Sequence, residues 1–198
     1  MPLTLIKEDG TGKVDANSYA DVADADAYHA GHLYATAWKA ATADQKAVAL
    51  VMATRLIDAE YQFGGVKTMD SQALLWPRYR CVDPDRDPMV RVGRLTIWEN
   101  WVPENLVPKN VMAATCEMAR ELLIADRTAS PAGEGLDTVS ATHATHASSG
   151  TGSDSTSSTT KYSKSDTRPV ISRVAQAMLS KYGALVDGGS GAVRLTRA

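Results

Sequence analysis

The sequence predicts a mainly α-helical fold, a small bundle of three main helices, and three observations carry that expectation. Apolar residues recur at helical spacing in three separate stretches, capping residues or an opening proline precede the clearest of them, and aperiodic segments rich in proline or in Ser and Thr divide them. Around the bundle the same pattern implies a short N-terminal strand and turn, an irregular Trp/Pro-rich connection, and a linker leading to a C-terminal helix and extended tail. A chain of 198 residues suits one domain with a core plus an appendage.

The elements follow in order. Leu3 to Ile6 is an apolar run closed by Asp9-Gly10-Thr11-Gly12, which reads as a strand and a turn. Asp21 can cap a first helix whose Val22, Ala25, His29 and Leu33 fall on one face. Thr42-Ala43-Asp44-Gln45 matches a capping box and opens the clearest helix, with Val48, Val51, Met52, Arg55, Leu56 and Ala59 as its stripe and Gly64-Gly65 as its stop. Between Val66 and Val107 the helical period is lost and Pro77, Pro84, Pro88 and Pro103 break regular structure, so the segment reads as an irregular connection pinned to the core by Trp76, Trp98 and Trp101. Pro108 stands at the first position of the third helix, with Val111, Met112, Thr115, Cys116, Ala119, Leu122 and Leu123 on its buried face. From Thr128 to Thr160 small polar residues dominate, too few of them apolar to offset the entropy of ordering. Pro169 then opens a short helix with Val170, Val174, Met178 and Tyr182 as its stripe, ended by Gly183. The resulting division is a body over 1–130, a linker or long loop over 131–167 and a C-terminal arm over 168–198.

The formal net charge of −2 hides an asymmetry. Residues 1–160 hold 14 Lys and Arg against 21 Asp and Glu, a balance of −7, and residues 161–198 hold 7 against 2, a balance of +5. A basic tail beside an acidic body favours docking of the tail on an acidic surface, with contact to phosphate and simple solvation as the other readings. No secretory leader and no bilayer-spanning stretch is expected, so the protein should be soluble and intracellular when made. Cys81 and Cys116 stand in unrelated contexts and should be two reduced thiols.

No residue earns a catalytic role. His29 and His32, and again His143 and His146, are spaced three apart but lack nearby carboxylate or thiolate ligands in sequence, so neither a metal nor another cofactor is expected. Gly10-Thr11-Gly12-Lys13 lacks the spacing of a phosphate loop. The hydroxyls of 148–160 have no paired His and acid. For nucleic acid the pattern to find is clustered cations with interleaved aromatics, and only Arg78-Tyr79-Arg80 and Lys161-Tyr162-Ser163-Lys164 come near it.

Asp9-Gly10-Thr11-Gly12, then Ala16-Asn17-Ser18-Tyr19, Ala25-Asp26-Ala27-Tyr28 and Trp38, resembles the opening of head-tail connector proteins of tailed phages, many of which are labelled DnaT-like single-stranded-DNA-binding proteins. The likeness continues through Ala53-Thr54-Arg55-Leu56-Ile57-Asp58, Gln72-Ala73-Leu74-Leu75-Trp76-Pro77-Arg78, Pro108 and Ala114-Thr115-Cys116-Glu117-Met118-Ala119, and returns at Arg168-Pro169 and Gly191 to Ala198. Within these motifs Tyr19, Tyr28, Trp38, Trp76, Pro77 and Pro108 are the expected structural anchors. The resemblance implies a non-enzymatic virion subunit made in the host cytoplasm, with no membrane contact. It would form a ring, commonly of twelve copies, between a portal protein and a downstream tail or neck protein, around a channel through which genomic DNA passes without sequence-specific contact. The expected portal-binding arm comprises Arg168, Pro169, Val170, Arg173, Val174, Met178, Lys181, Arg194 and Arg197, the chain's own body being the other surface that could bury its stripe. The competing class is a single-stranded-DNA-binding protein, the literal sense of the family label.

Overall fold

The computed structural model describes residues 3–86, 89–92, 95–98, 100–129, 138–144, 155–161 and 169–186. The chain forms two compact units, residues 1–126 together with 171–198, and residues 127–170. In the first unit the elements run α1 (Val22–Ala30), α2 (Thr36–Ala40), α3 (Ala43–Glu60), β1 (Tyr61–Phe63), β2 (Val66–Lys67), β3 (Arg78–Tyr79), β4 (Met89–Val92), β5 (Leu95–Trp98) and α4 (Lys109–Ile124). The second unit contains β6 (Thr138–Ala144) and β7 (Ser155–Lys161), after which α5 (Arg173–Leu179) and β8 (Gly183–Leu185) belong again to the first.

Local chemistry explains the helix starts. Asp21 accepts the Asp24 amide while the Asp24 side chain accepts the Asp21 amide, a reciprocal cap on α1. Thr42 and Gln45 do the same for α3, as their spacing foretells. Pro108 is the N-cap of α4 rather than its first residue, and Ser172, not Pro169, caps α5 by accepting the Ala175 amide.

The mainly α three-helix bundle is corrected by the strands. Among the described residues there are five helices and four two-stranded antiparallel sheets, β1 with β8, β2 with β3, β4 with β5 and β6 with β7. The Trp/Pro-rich connection therefore contains paired backbone, as does part of the segment read as a linker. The N-terminal run is not a strand either: it makes one isolated bridge, Lys7 to Ser18. Nor do the glycines stop the long helix, because Tyr61 has already turned extended and Tyr61, Gln62 and Phe63 pair with Leu185, Ala184 and Gly183.

The core lies between α3 and α4, with α5 packed on α4. The buried face of α3 is Ala49, Leu50, Val51, Ala53, Thr54 and Ile57, whereas Val48 is exposed, so the helix is rotated from the stripe the sequence suggests. Leu33 lies beyond the end of α1 and is exposed, which removes it from the α1 face. Ala53 on α3 and Ala114 on α4 are both fully buried. Trp76 is fully buried with its ring 5.6 Å from Phe63 and 5.7 Å from Tyr182, the latter just beyond α5.

One carboxylate joins three distant segments. Asp58, on the last turn of α3, accepts the Tyr19 hydroxyl at 2.5 Å and the Leu75 amide at 3.0 Å, and the Trp76 amide in turn donates to the Tyr19 oxygen. Burial pushes the Asp58 carboxyl up to about 6, against the pull of these donors toward the charged form. The native state then holds the proton more tightly than the unfolded chain does. This contribution is fully present below pH about 4 and is lost as pH rises through about 6. In denaturant unfolding from pH 4 to 7, Asp58→Asn should therefore show less loss of stability with rising pH than the parent chain, and equal slopes for the two proteins would contradict this assignment.

Candidate nucleic-acid interface

The triplet Arg78-Tyr79-Arg80 divides into two roles. Arg78 is buried, and its guanidinium donates to the carbonyls of Phe63, Gly64, Gly65 and Leu75 at 2.6 to 3.2 Å. It is a clamp on the backbone, with four of its five N–H donors committed to these carbonyls. Tyr79 is 44% exposed and the Arg80 guanidinium carbon stands 5.1 Å from the centre of its ring. Gly65 allows this edge to form: its φ is +69°, and a Cβ there would lie 2.3 Å from the Tyr79 carbonyl oxygen.

The chain then runs beside a second exposed aromatic. Val82 bridges antiparallel to Trp101, and the flanking bonds from Val102 to the Cys81 carbonyl and from Asp83 to the Asn100 carbonyl fix the crossing. Val82 and Trp101 are 46% and 36% exposed, and Arg86 donates to the Trp101 carbonyl at 2.8 Å. The result is an irregular edge carrying Tyr79, Arg80, Val82, Arg86 and Trp101. Acids also lie nearby, but Asp85 is neutralised by Lys181 at 2.5 Å. Beyond Val102 an open groove of about 340 Å³ is lined in part by Asp83, Leu106, Lys109, Lys181 and Tyr182. Trp101, expected as a core anchor, is exposed, which corrects that expectation.

The expected arm is partly a piece of the core. The face of α5 that is buried is Ala175 and Leu179, continued by Ile171, and the Tyr61 hydroxyl donates to the Gln176 carbonyl. Val174 is 51% exposed and Met178 half-buried, so the expected stripe of Val170, Val174 and Met178 is not the buried one. The surface that covers the helix is the chain's own body. Arg173 and Lys181 are exposed, and the carbonyls of Pro169 and Val170 accept Arg127. Arg168, Arg194 and Arg197 lie outside the described residues.

Of the anchors, Tyr19, Trp38, Trp76, Pro77 and Pro108 are buried and Tyr28 half-buried. Trp38 donates to Asp26 and Tyr28 to Glu117. His29 is buried beside the Cys116 carbonyl, burial holding its pKa below the ordinary histidine range, and His32 meets Glu117 at 3.2 Å. Among the described residues no group of His, Cys, Asp and Glu could hold a metal; His143 is described in backbone only and His146 not at all. Cys81 and Cys116 are free and buried, with the Cys116 thiol pushed up to about 12. No helix among the described residues is long and apolar enough to cross a membrane.

The arrangement is an edge on which the exposed rings of Tyr79 and Trp101 each lie beside an arginine contact. Residues 3–198 match the model of the family described as "Putative DnaT-like ssDNA binding protein", and the chain belongs to that family. No curated protein and no solved structure matches it.

Because α5 is part of the core, Leu179→Ala should lower the unfolding free energy by about 2–5 kcal/mol, the range for truncating a buried leucine. Denaturant titration of the full chain measures it, and an unchanged midpoint would show that α5 is not packed on the body.

Proposed function

We propose that this chain is a non-enzymatic single-stranded-DNA-binding protein whose contact surface is the edge carrying Tyr79, Arg80, Val82, Arg86 and Trp101. The observation that carries the reading is the interleaving of exposed aromatics with arginines at that edge. Every base offers a face that can stack on an aromatic ring, worth roughly 1–3 kcal/mol per base, and a guanidinium nearby can meet the phosphate. The whole-chain family match supports the same class. Binding through a few cations on an acid-rich chain is expected to be weak and to fall steeply with salt.

A second reading is favoured by the charge pattern. An acid excess of seven over residues 1–160 repels phosphate over much of the chain, which suits a subunit that DNA passes rather than one that retains it. In that reading the chain is a head-tail connector subunit of a tailed phage, as its ordered motifs resemble. Its partners would be a portal protein, neighbouring copies in a ring and a downstream tail protein, and its place the virion neck.

Fluorescence anisotropy with labelled oligo(dT) at low and physiological salt tests the first reading. Wild-type protein should bind at low salt, with Tyr79→Ala and Trp101→Ala each weakening affinity about five-fold or more, as expected from a lost stacking contact. Absence of binding at any salt would remove this reading, and portal-bound rings of the same protein under the electron microscope would then favour the second. Wild-type affinity in both variants would move the contact elsewhere on the chain.

A further inference from the structure

The groove beyond Val102 adjoins the aromatic edge along both chain segments that form it. Val82 leads directly into Asp83 and Trp101 into Val102, and the bonds from Val102 to the Cys81 carbonyl and from Asp83 to the Asn100 carbonyl join the two segments where edge passes into groove. A third tie runs through Gly64. Its carbonyl accepts Arg78, and its amide donates at 2.9 Å to the carbonyl of Tyr182, a residue of the groove wall whose ring lies 5.7 Å from buried Trp76. One hydrogen-bonded framework thus carries both features.

The lining divides by chemistry. Val102, Pro103 and Leu106 give an apolar wall on which Leu106 is 46% exposed, while Lys109 on α4 and Lys181 between α5 and β8 bring two amines. Against these stand Asp83 and Asp85, so the formal charges of the lining balance. A neutral groove does not gather a polyanion by itself. It can accept one nucleotide of a strand already held next door, where tethering raises the local concentration. Size agrees with that occupant, since small-ligand sites begin at roughly 300 Å³ and the groove measures about 340 Å³.

An ion pair at the groove marks where a phosphate would sit. Lys181 meets Asp85 at 2.5 Å, with side chains 41% and 66% exposed, and the Asp83 carboxylate accepts the Asp85 amide at 3.1 Å. Exposed pairs contribute little net stability, so another anion can replace the Asp85 carboxylate at small cost. On the reading of the edge as a single-stranded-DNA contact, we propose that the groove is a second subsite for the same strand. One nucleotide enters with its base against Pro103 and Leu106, and its phosphate takes Lys181 from Asp85, with Lys109 as a second cation. The Lys181 and Asp85 pair is then a latch that competes with the strand.

The test measures anisotropy of labelled oligo(dT) with full-length protein over a series of salt concentrations, each variant first shown to melt as the wild type does. Lys109→Ala and Lys181→Ala should each weaken binding and flatten the plot of log affinity against log salt by roughly 0.7, the slope lost with one phosphate of a single strand. Leu106→Ala removes no charge, so it should weaken binding about three-fold, as for a partly buried leucine, at an unchanged slope. Asp85→Asn opens the latch and should tighten binding. Lys39, exposed on α2 and outside the groove lining, is the control, and Lys39→Ala should leave affinity and slope as in the wild type. Wild-type affinity and slope in Lys109→Ala and Lys181→Ala, while Tyr79→Ala still weakens binding, would overturn the groove and leave the edge standing. An equal flattening by Lys39→Ala would also overturn it, because the cations would then act as diffuse charge. Absence of wild-type binding at any salt would remove edge and groove together.

Discussion

The guanidinium of Arg78 is the fixed point on which the candidate edge depends. It is a buried cation, and it is tolerable only because its donors meet four backbone carbonyls, three of them in the consecutive residues Phe63, Gly64 and Gly65. Those carbonyls belong to the end of β1 and the turn that follows it, and the fourth, from Leu75, belongs to the segment whose Leu75 amide donates to Asp58. The clamp thus ties β3 to two segments that precede it, while Tyr79 and Arg80 are exposed. A lysine could supply the charge but not the planar fork.

The long helices were legible because their signals are local. The Thr42 and Gln45 capping pair and the apolar spacing after Pro108 need no knowledge of the rest of the chain. Which face is buried was less legible, because packing against a close neighbour selects small residues such as Ala49, Ala53 and Thr54 over the larger Val48. The strands were not legible at all. In the first unit the pairs of two to four residues are shorter than any periodic window, and β1 meets β8 across more than half the chain, while β6 and β7 are seven residues long but lie in sequence too poor in large apolar residues to show a strand's alternation. The same non-local pairing draws α5 back onto the body, so its stripe could not be read from the arm alone. At the candidate site the sequence showed Arg78-Tyr79-Arg80 as a unit, but whether a cation is a structural donor or a free one is decided by burial.

Electrostatics separates what the fold holds from what it offers. Several cations are committed internally: Lys7 to Asp24, Lys46 to Asp26, Arg120 to Glu117 and Lys181 to Asp85. Of the cations at the edge, Arg80 lies over an exposed ring and Arg86 holds the carbonyl of an exposed tryptophan, so charge and aromatic surface coincide there. A surface of that kind on an acid-rich chain suits transient, sequence-independent contact with a flexible polyanion. Duplex DNA, with its higher charge density and stacked bases, would gain less from the aromatic rings.

The claim that this edge touches DNA is tested most directly by photo-cross-linking the wild-type protein to single-stranded DNA at low salt and mapping the linked peptides by mass spectrometry. The account predicts adducts on Tyr79 and Trp101, competed by unlabelled oligo(dT). Adducts confined to Tyr162 and its basic neighbours, with none on residues 78–86 or 100–103, would contradict it.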